Sequence, residues 1–261
     1  MRPSTPETET QTTPRAAPAR PAALEIHYQP IVELATGGIV GAEALLRRRL
    51  PTGVVQIAAR FLPLAEATGL LVEIGRRVVD RACGQVAEWQ SIRRDTWVTV
   101  NISSRQLADP ALPGWVEAVL TRYTLRPDLL VLDIPEVVVA HAALDGGPLL
   151  QHMREIADLG VRIAVDDVGT GPPAPTYLPS VPVSFLKIDG RFVRALTGPG
   201  DPQLVPAMIG LAHDHGLLAI AEAIEDDETM DILRAFGCDF GQGYAIARPT
   251  SPAEIAAALL G

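Results

Sequence analysis

The stretch GVRIAVDDVGTGPPAPTYL, residues 160–178, runs an apolar segment directly into two adjacent carboxylates, Asp166 and Asp167. The Val, Ile and Ala residues before them are typical of a β-strand that is covered on both faces, as the strands of parallel sheets are. In barrels of parallel strands, functional groups lie where the strands end and the following loops begin. The stretch therefore predicts a buried strand that carries two acidic groups to a functional site.

Short β-rich segments of the same kind alternate with helix-length segments along the rest of the chain. We predict eight strands, at residues 24–34, 39–48, 97–103, 129–139, 161–168, 185–189, 217–224 and 243–247. Helical patterns lie between them at residues 71–90, 149–160, 202–216 and 227–237. Strands that alternate with helices of about 10–15 residues indicate parallel βαβ units, and this number fits an α/β fold of the (β/α)8 TIM-like barrel type.

The connection between the first two predicted strands departs from a regular barrel. Only ATGG, residues 35–38, separates them. A crossover helix needs about a dozen residues or more, so we predict that this first strand pair is antiparallel. A doubly wound open sheet is the alternative architecture, although no GxGxxG motif follows a strand to support dinucleotide binding.

The composition bears on nucleic-acid binding, on the cellular compartment and on the number of domains. The 261 residues are 48% hydrophobic and carry a net charge of −9. This negative charge argues against sequence-independent binding to DNA or RNA, which requires many Lys and Arg contacts to phosphates. The two cysteines and the lack of an apolar run of roughly 18–20 residues predict a cytoplasmic protein without membrane insertion. Residues 1–23, rich in Pro, Thr and Ala, predict a disordered tail, which leaves residues 24–261 as one barrel domain.

Polar residues recur where the predicted strands end. Seven of them follow six strands: Glu43, Asn101, Asp133, Asp166, Asp167, Lys187 and Glu222. Carboxylates that converge on one mouth repel one another, so their recurrence indicates that cations neutralise them. Because the set offers oxygen ligands and neither His nor Cys, it favours hard ions such as Mg²⁺, Mn²⁺ or Ca²⁺ over zinc.

These residues alone leave the chemistry of the site open. Two ions at a spacing of about 3.5–4 Å are a recurrent arrangement for phosphodiester cleavage, in which a buried lysine can orient the nucleophile or stabilise charge on the phosphate. Enolisation or elimination with one Mg²⁺ and a lysine base is the competing barrel chemistry. Arg47 ends the strand that carries Glu43 and could also reach the mouth.

Nine motifs follow one another between Tyr28 and Pro249: YQPIV, GAEALLR, PLAEATG, VNIS, LDIPE, DDVGTG, LKID, AEAIE and GQGYAIARP. This ordered series resembles the bacterial EAL domain family, which is named for the triplet found here at residues 43–45. The resemblance implies a (β/α)8 barrel with an antiparallel first strand pair. It also implies hydrolysis of the bacterial second messenger cyclic di-GMP to the linear dinucleotide pGpG, with two Mg²⁺ or Mn²⁺ ions.

The same resemblance implies roles for individual residues. The implied metal ligands are Glu43, Asn101, Asp133, Asp166, Asp167 and Glu222. Lys187 and Glu222 would be catalytic, and Lys187 would position the hydrolytic water. Gln29, Arg47 and Gln242 would contact the substrate, Arg47 at a phosphate. Glu136 would anchor the loop after the two aspartates, Glu225 would support the site, and the frequent dimerisation of the family near that loop leaves a homodimer open.

The sequence departs from the family pattern in three places, and the first two support an alternative function, that of a catalytically weak or inactive EAL module acting as a cyclic di-GMP receptor or protein-interaction regulator. Asp133 stands where active members usually have a glutamate, so an implied metal ligand is one methylene shorter. The loop reads GTGPPAPTYL where the family usually has GTGYSSLSYL, and Pro172 and Pro173 remove two backbone donors. Ala223 replaces the usual glycine and adds a methyl group.

Overall fold

The computed structural model describes residues 23–171 and 173–260. Most of the predicted tail, residues 1–22, lies outside this part of the chain, as does Pro172 of the predicted stiffened loop. Ala23, the last residue of the predicted tail, already belongs to the first strand.

One β-sheet forms the centre of the described structure and closes on itself as a barrel. Its strands are β1 (Ala23–Glu33), β2 (Ile39–Arg49), β3 (Val55–Ile57), β4 (Trp97–Asn101), β5 (Leu130–Pro135), β6 (Arg162–Val168), β7 (Phe185–Ile188), β8 (Leu218–Ala221) and β9 (Phe240–Gly241). The ring runs in the order β1-β9-β8-β7-β6-β5-β4-β2, and β2 pairs back with β1. β1 is antiparallel to both neighbours, the other ring strands are mutually parallel, and β3 extends β2 outside the ring. The predicted α/β barrel with an antiparallel first strand pair is confirmed.

Helices connect the parallel strands and pack against them. They are α1 (Leu62–Ala67), α2 (Leu71–Trp89), α3 (Ser104–Leu107), α4 (Leu112–Tyr123), α5 (Glu136–Asp145), α6 (Pro148–Asp158), α7 (Gly190–Arg194), α8 (Leu204–Asp214), α9 (Asp227–Ala235) and α10 (Pro252–Leu260). The four predicted helices correspond to α2, α6, α8 and α9. Among residues 23–171 and 173–260, no helix combines the length and apolar composition that a bilayer span requires.

The predicted strand at residues 243–247 is wrong. β9 lies just before this segment, and the segment itself is a turn in which the N–H groups of Ile246 and Ala247 donate to the Gly243 carbonyl at 3.1 and 3.0 Å. Gly243 lies so close to the neighbouring loop that a Cβ there would come within 2.1 Å of the Ile224 carbonyl oxygen. This close backbone approach ends the strand, and a short apolar run does not reveal it.

The predicted strand at residues 129–139 is correct only in its first part. β5 ends at Pro135, and Glu136 begins α5. Proline has no N–H group for the strand ladder, and the Glu136 carboxylate lies in the first helical turn, where the helix dipole favours negative charge. The β-branched residues that follow suggested a strand, but the proline and the acidic residue decide the local structure.

An aromatic cluster fills one end of the barrel. Trp97 stacks on Phe185 with ring centroids 5.5 Å apart, and Phe240 meets both rings edge-on. The Arg162 guanidinium lies 4.9 Å from the Phe185 ring centroid and 5.2 Å from that of Trp97. All four residues begin their strands, so the amino-terminal end of the parallel barrel is packed and the carboxyl-terminal end is left for polar groups.

The packing of Gly41 against this cluster generates a stability prediction. A Cβ at Gly41 would come within 2.5 Å of the Trp97 ring, so we expect Gly41→Ala to lower the free energy of unfolding by about 1–3 kcal/mol, as overpacking does. Urea denaturation followed by circular dichroism measures the change. Gly114 of α4 is the matched control, because a Cβ there meets nothing within 4 Å, and Gly114→Ala should raise stability by about 0.5–1 kcal/mol. Equal effects of the two substitutions would contradict this account.

Candidate active site

A buried ammonium group lies at the carboxyl-terminal end of the barrel. Lys187 of β7 is fully buried, and its Nζ lies 2.9 Å from Asp133 Oδ2, 2.8 Å from Glu222 Oε1 and 3.2 Å from Asp166 Oδ1. The four residues come from or directly follow the neighbouring strands β5 to β8. The parallel register of these strands brings their ends together, which gathers groups that are far apart in the sequence.

The electrostatics of this cluster are dominated by burial and by an excess of carboxylates. Burial raises the pKa of Asp133 to about 7 and that of Glu222 to about 8, although the Lys187 ammonium opposes both shifts. Burial alone would lower the pKa of Lys187, but the carboxylates of Asp133, Asp166 and Glu222 hold it well above its ordinary value. One ammonium therefore faces three carboxyl groups, and two of these hold their protons more tightly than a free carboxyl group does.

A second hydrogen-bonded group forms around Glu43 of β2. Its Oε1 accepts from Asn101 Nδ2 at 2.7 Å, and its Oε2 accepts from Gln242 Nε2 at 2.7 Å. Gln242 Nε2 also donates to Gln29 Oε1 at 3.0 Å, and Gln29 Nε2 donates to the Ala247 carbonyl at 3.0 Å. This chain of amides fixes the orientation of the Glu43 carboxylate.

Glu136, which directly follows β5, contacts the loop that follows β6. Its Oε2 accepts from the N–H groups of Gly169, Thr170 and Gly171 at 2.9, 2.9 and 2.6 Å, and its Oε1 accepts from the Tyr177 hydroxyl at 2.8 Å. The side chain is buried. One carboxylate therefore connects the start of α5 to both ends of the loop.

The remaining predicted residues lie at the rim of the site. Asp167 is exposed and has a positive φ of 57°, and its carboxylate lies within 4.8 Å of those of Asp166 and Glu222. Arg47 is half-buried and donates to the Leu46 carbonyl at 3.0 Å. Glu225 is exposed, and one of its oxygens lies 3.7 Å from a guanidinium nitrogen of Arg194.

Two cavities flank Glu43. The first, of about 310 Å³, is lined by Gln29, Glu43, Arg194, Glu222, Ala223, Glu225, Gln242, Gly243 and Tyr244. The second, of about 350 Å³, is lined by Arg47, Asn101 and Gln106 together with apolar residues of β2, α1 and α2. Sequence reasoning missed Arg194, Tyr244 and Gln106 at these walls. Arg194 could have been noticed seven positions after Lys187 in the segment that follows β7, and Tyr244 lies within the GQGYAIARP motif, whereas no pattern marks Gln106.

The residues present fit a site for hard divalent cations. The oxygens of Asp166, Asp167 and Glu222 lie close enough together to share an ion. Asp133 Oδ1 and Gln242 Oε1 are buried acceptors without a hydrogen-bond partner in the described part of the chain, and such orphaned oxygens are costly unless something donates to them or binds them. An all-oxygen donor set with surplus negative charge is what Mg²⁺ and Mn²⁺ require.

Comparison with known proteins agrees with this fold. The EAL domain family model matches residues 15–249, and the chain therefore belongs to the EAL domain family. Its polar barrel mouth contains Glu43, the first residue of the triplet for which the family is named.

Relatives in Pseudomonas aeruginosa are similar over most of this chain. The bifunctional diguanylate cyclase/cyclic di-GMP phosphodiesterase MucR is 37% identical over 233 residues, which cover 88% of this chain and 33% of that protein. The cyclic di-GMP phosphodiesterase PA2567 is 37% identical over 229 residues, which cover 87% of this chain and 38% of that protein. The chain thus spans about a third of the length of these two relatives. The solved structure of the PaMucR phosphodiesterase in complex with c-di-GMP matches with a TM-score of 0.83 and 35% identity, over 89% of this chain and 94% of that one.

The contacts of Glu136 generate a prediction about loop order. Replacing it by glutamine keeps the size of the side chain but sets an NH₂ group against N–H or O–H donors. We expect Glu136→Gln to cost about 2–3 kcal/mol of stability, as the loss of buried charged acceptors does, and to speed amide exchange at Gly169–Gly171. Hydrogen exchange followed by mass spectrometry measures the local effect.

Tyr177→Phe is the graded control for this prediction. It removes one of the four donors to Glu136 and should cost only about 1 kcal/mol. Unchanged exchange at the three amides in Glu136→Gln would show that the carboxylate does not order the loop.

A second prediction concerns Ala223, which follows Glu222. Ala223 has a positive φ of 54°, a conformation that costs a residue with a Cβ about 1–2 kcal/mol. Ala223→Gly should therefore stabilise the protein by about 0.5–1 kcal/mol after the entropy of glycine is subtracted.

The contact between Ala223 and Gly190 adds a prediction about coupling, because a Cβ at Gly190 would lie 2.5 Å from the Ala223 Cβ. Gly190→Ala should therefore destabilise the natural protein but have almost no effect on the stability of a protein that already carries Ala223→Gly. A double-mutant cycle from urea denaturation should give a coupling above about 0.5 kcal/mol, and additive effects would contradict the contact.

Proposed function

We propose that this chain hydrolyses cyclic di-GMP to the linear dinucleotide pGpG in a metal-dependent reaction. The observation that carries the proposal is the buried Lys187 ammonium held between Asp133, Asp166 and Glu222. The similarity to two proteins that are named cyclic di-GMP phosphodiesterases supports it. So does the solved structure of a similar phosphodiesterase in complex with c-di-GMP.

Two Mg²⁺ or Mn²⁺ ions are the proposed cofactors. The residues that would hold them are Glu43, Asn101, Asp133, Asp166, Asp167 and Glu222. Ions bound there would neutralise charge on the phosphodiester and activate a water molecule. The contacts of Glu43 with Asn101 and Gln242 and the lysine contact of Asp133 limit the rotation of both carboxylates, so these ligands would be oriented before any ion binds.

Lys187 is the proposed positioning group for the attacking water. Its pKa is held high by the surrounding carboxylates, so it acts as an ammonium that donates hydrogen bonds and not as a base. The water oxygen would bond to phosphorus, the bond from phosphorus to the ribose 3′ oxygen would break, and the proton that the water loses would be balanced by the one that the 3′ oxygen takes up. The ammonium would hold the water and balance negative charge that develops at phosphorus, and its contact with Glu222 at 2.8 Å helps to fix its position.

The two cavities beside Glu43 supply room for the two nucleotide halves of the substrate. Gln29 and Gln242 line the first cavity and Arg47 lines the second, which agrees with their proposed role in substrate contact. A cytoplasmic location and a homodimer stay predictions.

Turnover with metal titration tests this function. Purified protein incubated with cyclic di-GMP and Mg²⁺ or Mn²⁺ should yield pGpG, detected by chromatography, and EDTA should abolish the product. Glu43→Gln and Lys187→Met should each lower kcat by about a hundredfold or more, because each removes a charge from the reacting centre. Glu73→Gln, which changes an exposed carboxylate of α2, should leave the rate unchanged.

Two outcomes would contradict the proposal. Calorimetric binding of cyclic di-GMP without product at any metal concentration would favour a receptor. Equal rates in the natural protein and in Lys187→Met, with circular dichroism showing that both are folded, would contradict the proposed mechanism.

A further inference from the structure

Arg194 lies in the wall of the first cavity together with Glu43 and Glu222. Its side chain is 50% exposed, and its described ion-pair contact is with Glu225 at 3.7 Å between nitrogen and oxygen. A well-formed hydrogen bond between these atoms is about 2.7–3.2 Å long. The guanidinium therefore lies near the Glu225 carboxylate without a well-formed hydrogen bond to it. Its N–H groups are available to a ligand in the cavity.

The fold holds Arg194 in this place. α7 follows directly after β7, the strand of Lys187, and its start is capped by Asp189, whose side chain accepts from the Arg191 N–H at 2.6 Å. Val193 is buried. Gly190 lies against Ala223, in the loop that also carries Glu222. The helix is thus fixed beside the β8 loop, and Arg194 is placed at the rim by a rigid element.

Each of the two cavities that Glu43 lines also has one arginine in its wall. Among the residues that line the first cavity, Arg194 is the cation, and Glu43, Glu222 and Glu225 are anions. Among those that line the second cavity, Arg47 is the cation. Cyclic di-GMP has two phosphodiesters on opposite sides of its ring and therefore two negative charges. A dianion enters an acidic mouth only where cations meet its charges.

We propose that Arg194 is a substrate-contacting residue that binds one phosphodiester of the cyclic dinucleotide while Arg47 binds the other. This inference rests on the proposed function. Guanidinium groups suit phosphate because they offer paired N–H donors to two oxygens. Since Arg194 contacts a charge that is present before and during reaction, its contribution falls on binding and not on the chemical step.

The test compares Arg194→Ala with the matched control Arg191→Ala. Arg191 is on the same helix and is similarly exposed, but it pairs with Asp189 and is not in the wall of either cavity. Initial rates with Mg²⁺ should show that Arg194→Ala raises KM about tenfold, as expected for loss of one partly exposed charged contact, with kcat within twofold. Arg191→Ala should leave both parameters unchanged, and Arg194→Lys should lie between the natural protein and the alanine variant.

Equilibrium binding gives a second readout that does not depend on turnover. Calorimetry with cyclic di-GMP in EDTA should show weaker binding by Arg194→Ala and a flatter dependence of its dissociation constant on salt, because one screened charge contact is lost. A KM and an affinity within twofold of the natural protein would overturn the inference while the proposed function stands. If the natural protein neither binds nor hydrolyses cyclic di-GMP, that result contradicts both the proposed function and the inference.

Discussion

The ammonium of Lys187 is the constraint on which the rest of this barrel mouth depends. A fully buried cation loses several kcal/mol of hydration, and it is tolerated only where nearby carboxylates and hydrogen bonds replace the water. Here the replacements come from three other strands or strand ends, at Asp133, Asp166 and Glu222. The carboxylates need the lysine for the same reason, because burial raises the pKa of Asp133 and Glu222. The cluster therefore requires the parallel pairing of β5 to β8.

The two-residue period of the strands explains how an apolar barrel can carry these charges. On β5, Asp133 lies between Leu132 and Ile134, and on β7, Lys187 lies between Leu186 and Ile188. Neighbours along a strand point to opposite faces, so each charged group turns into the barrel while the residues beside it pack outward. At the other end the aromatic cluster around Trp97 closes the interior. Polar groups inside the barrel consequently accumulate at the carboxyl-terminal mouth.

Much of this arrangement could be predicted from the sequence, because it follows from local patterns. The alternation of strands with helices gave the barrel, the short ATGG connection gave the antiparallel pair, and polar residues after apolar runs gave Lys187 and its neighbours. The contacts that were missed depend on chain segments that meet only after folding. Tyr177 reaches Glu136 across 41 positions, and Arg194 reaches the mouth because α7 packs against the β8 loop. The turn at residues 243–247 likewise depends on its approach to Ile224, which no local pattern records.

Each departure from the family pattern lies near contacts that the structure describes, and these contacts show the local effect of the departure. The shorter side chain of Asp133 still reaches Lys187, with one oxygen left free of hydrogen bonds. The three N–H donors that hold Glu136 come from residues 169–171. They precede Pro172 in the sequence, so the missing proline donors are not the ones on which this anchor depends. Ala223 adopts a positive φ beside Glu222, which places conformational strain next to the site, and Glu222 contacts Lys187 at 2.8 Å. One departure, Asp133, therefore lies inside the buried lysine cluster and keeps its contact with Lys187, whereas the loop and Ala223 lie around the cluster.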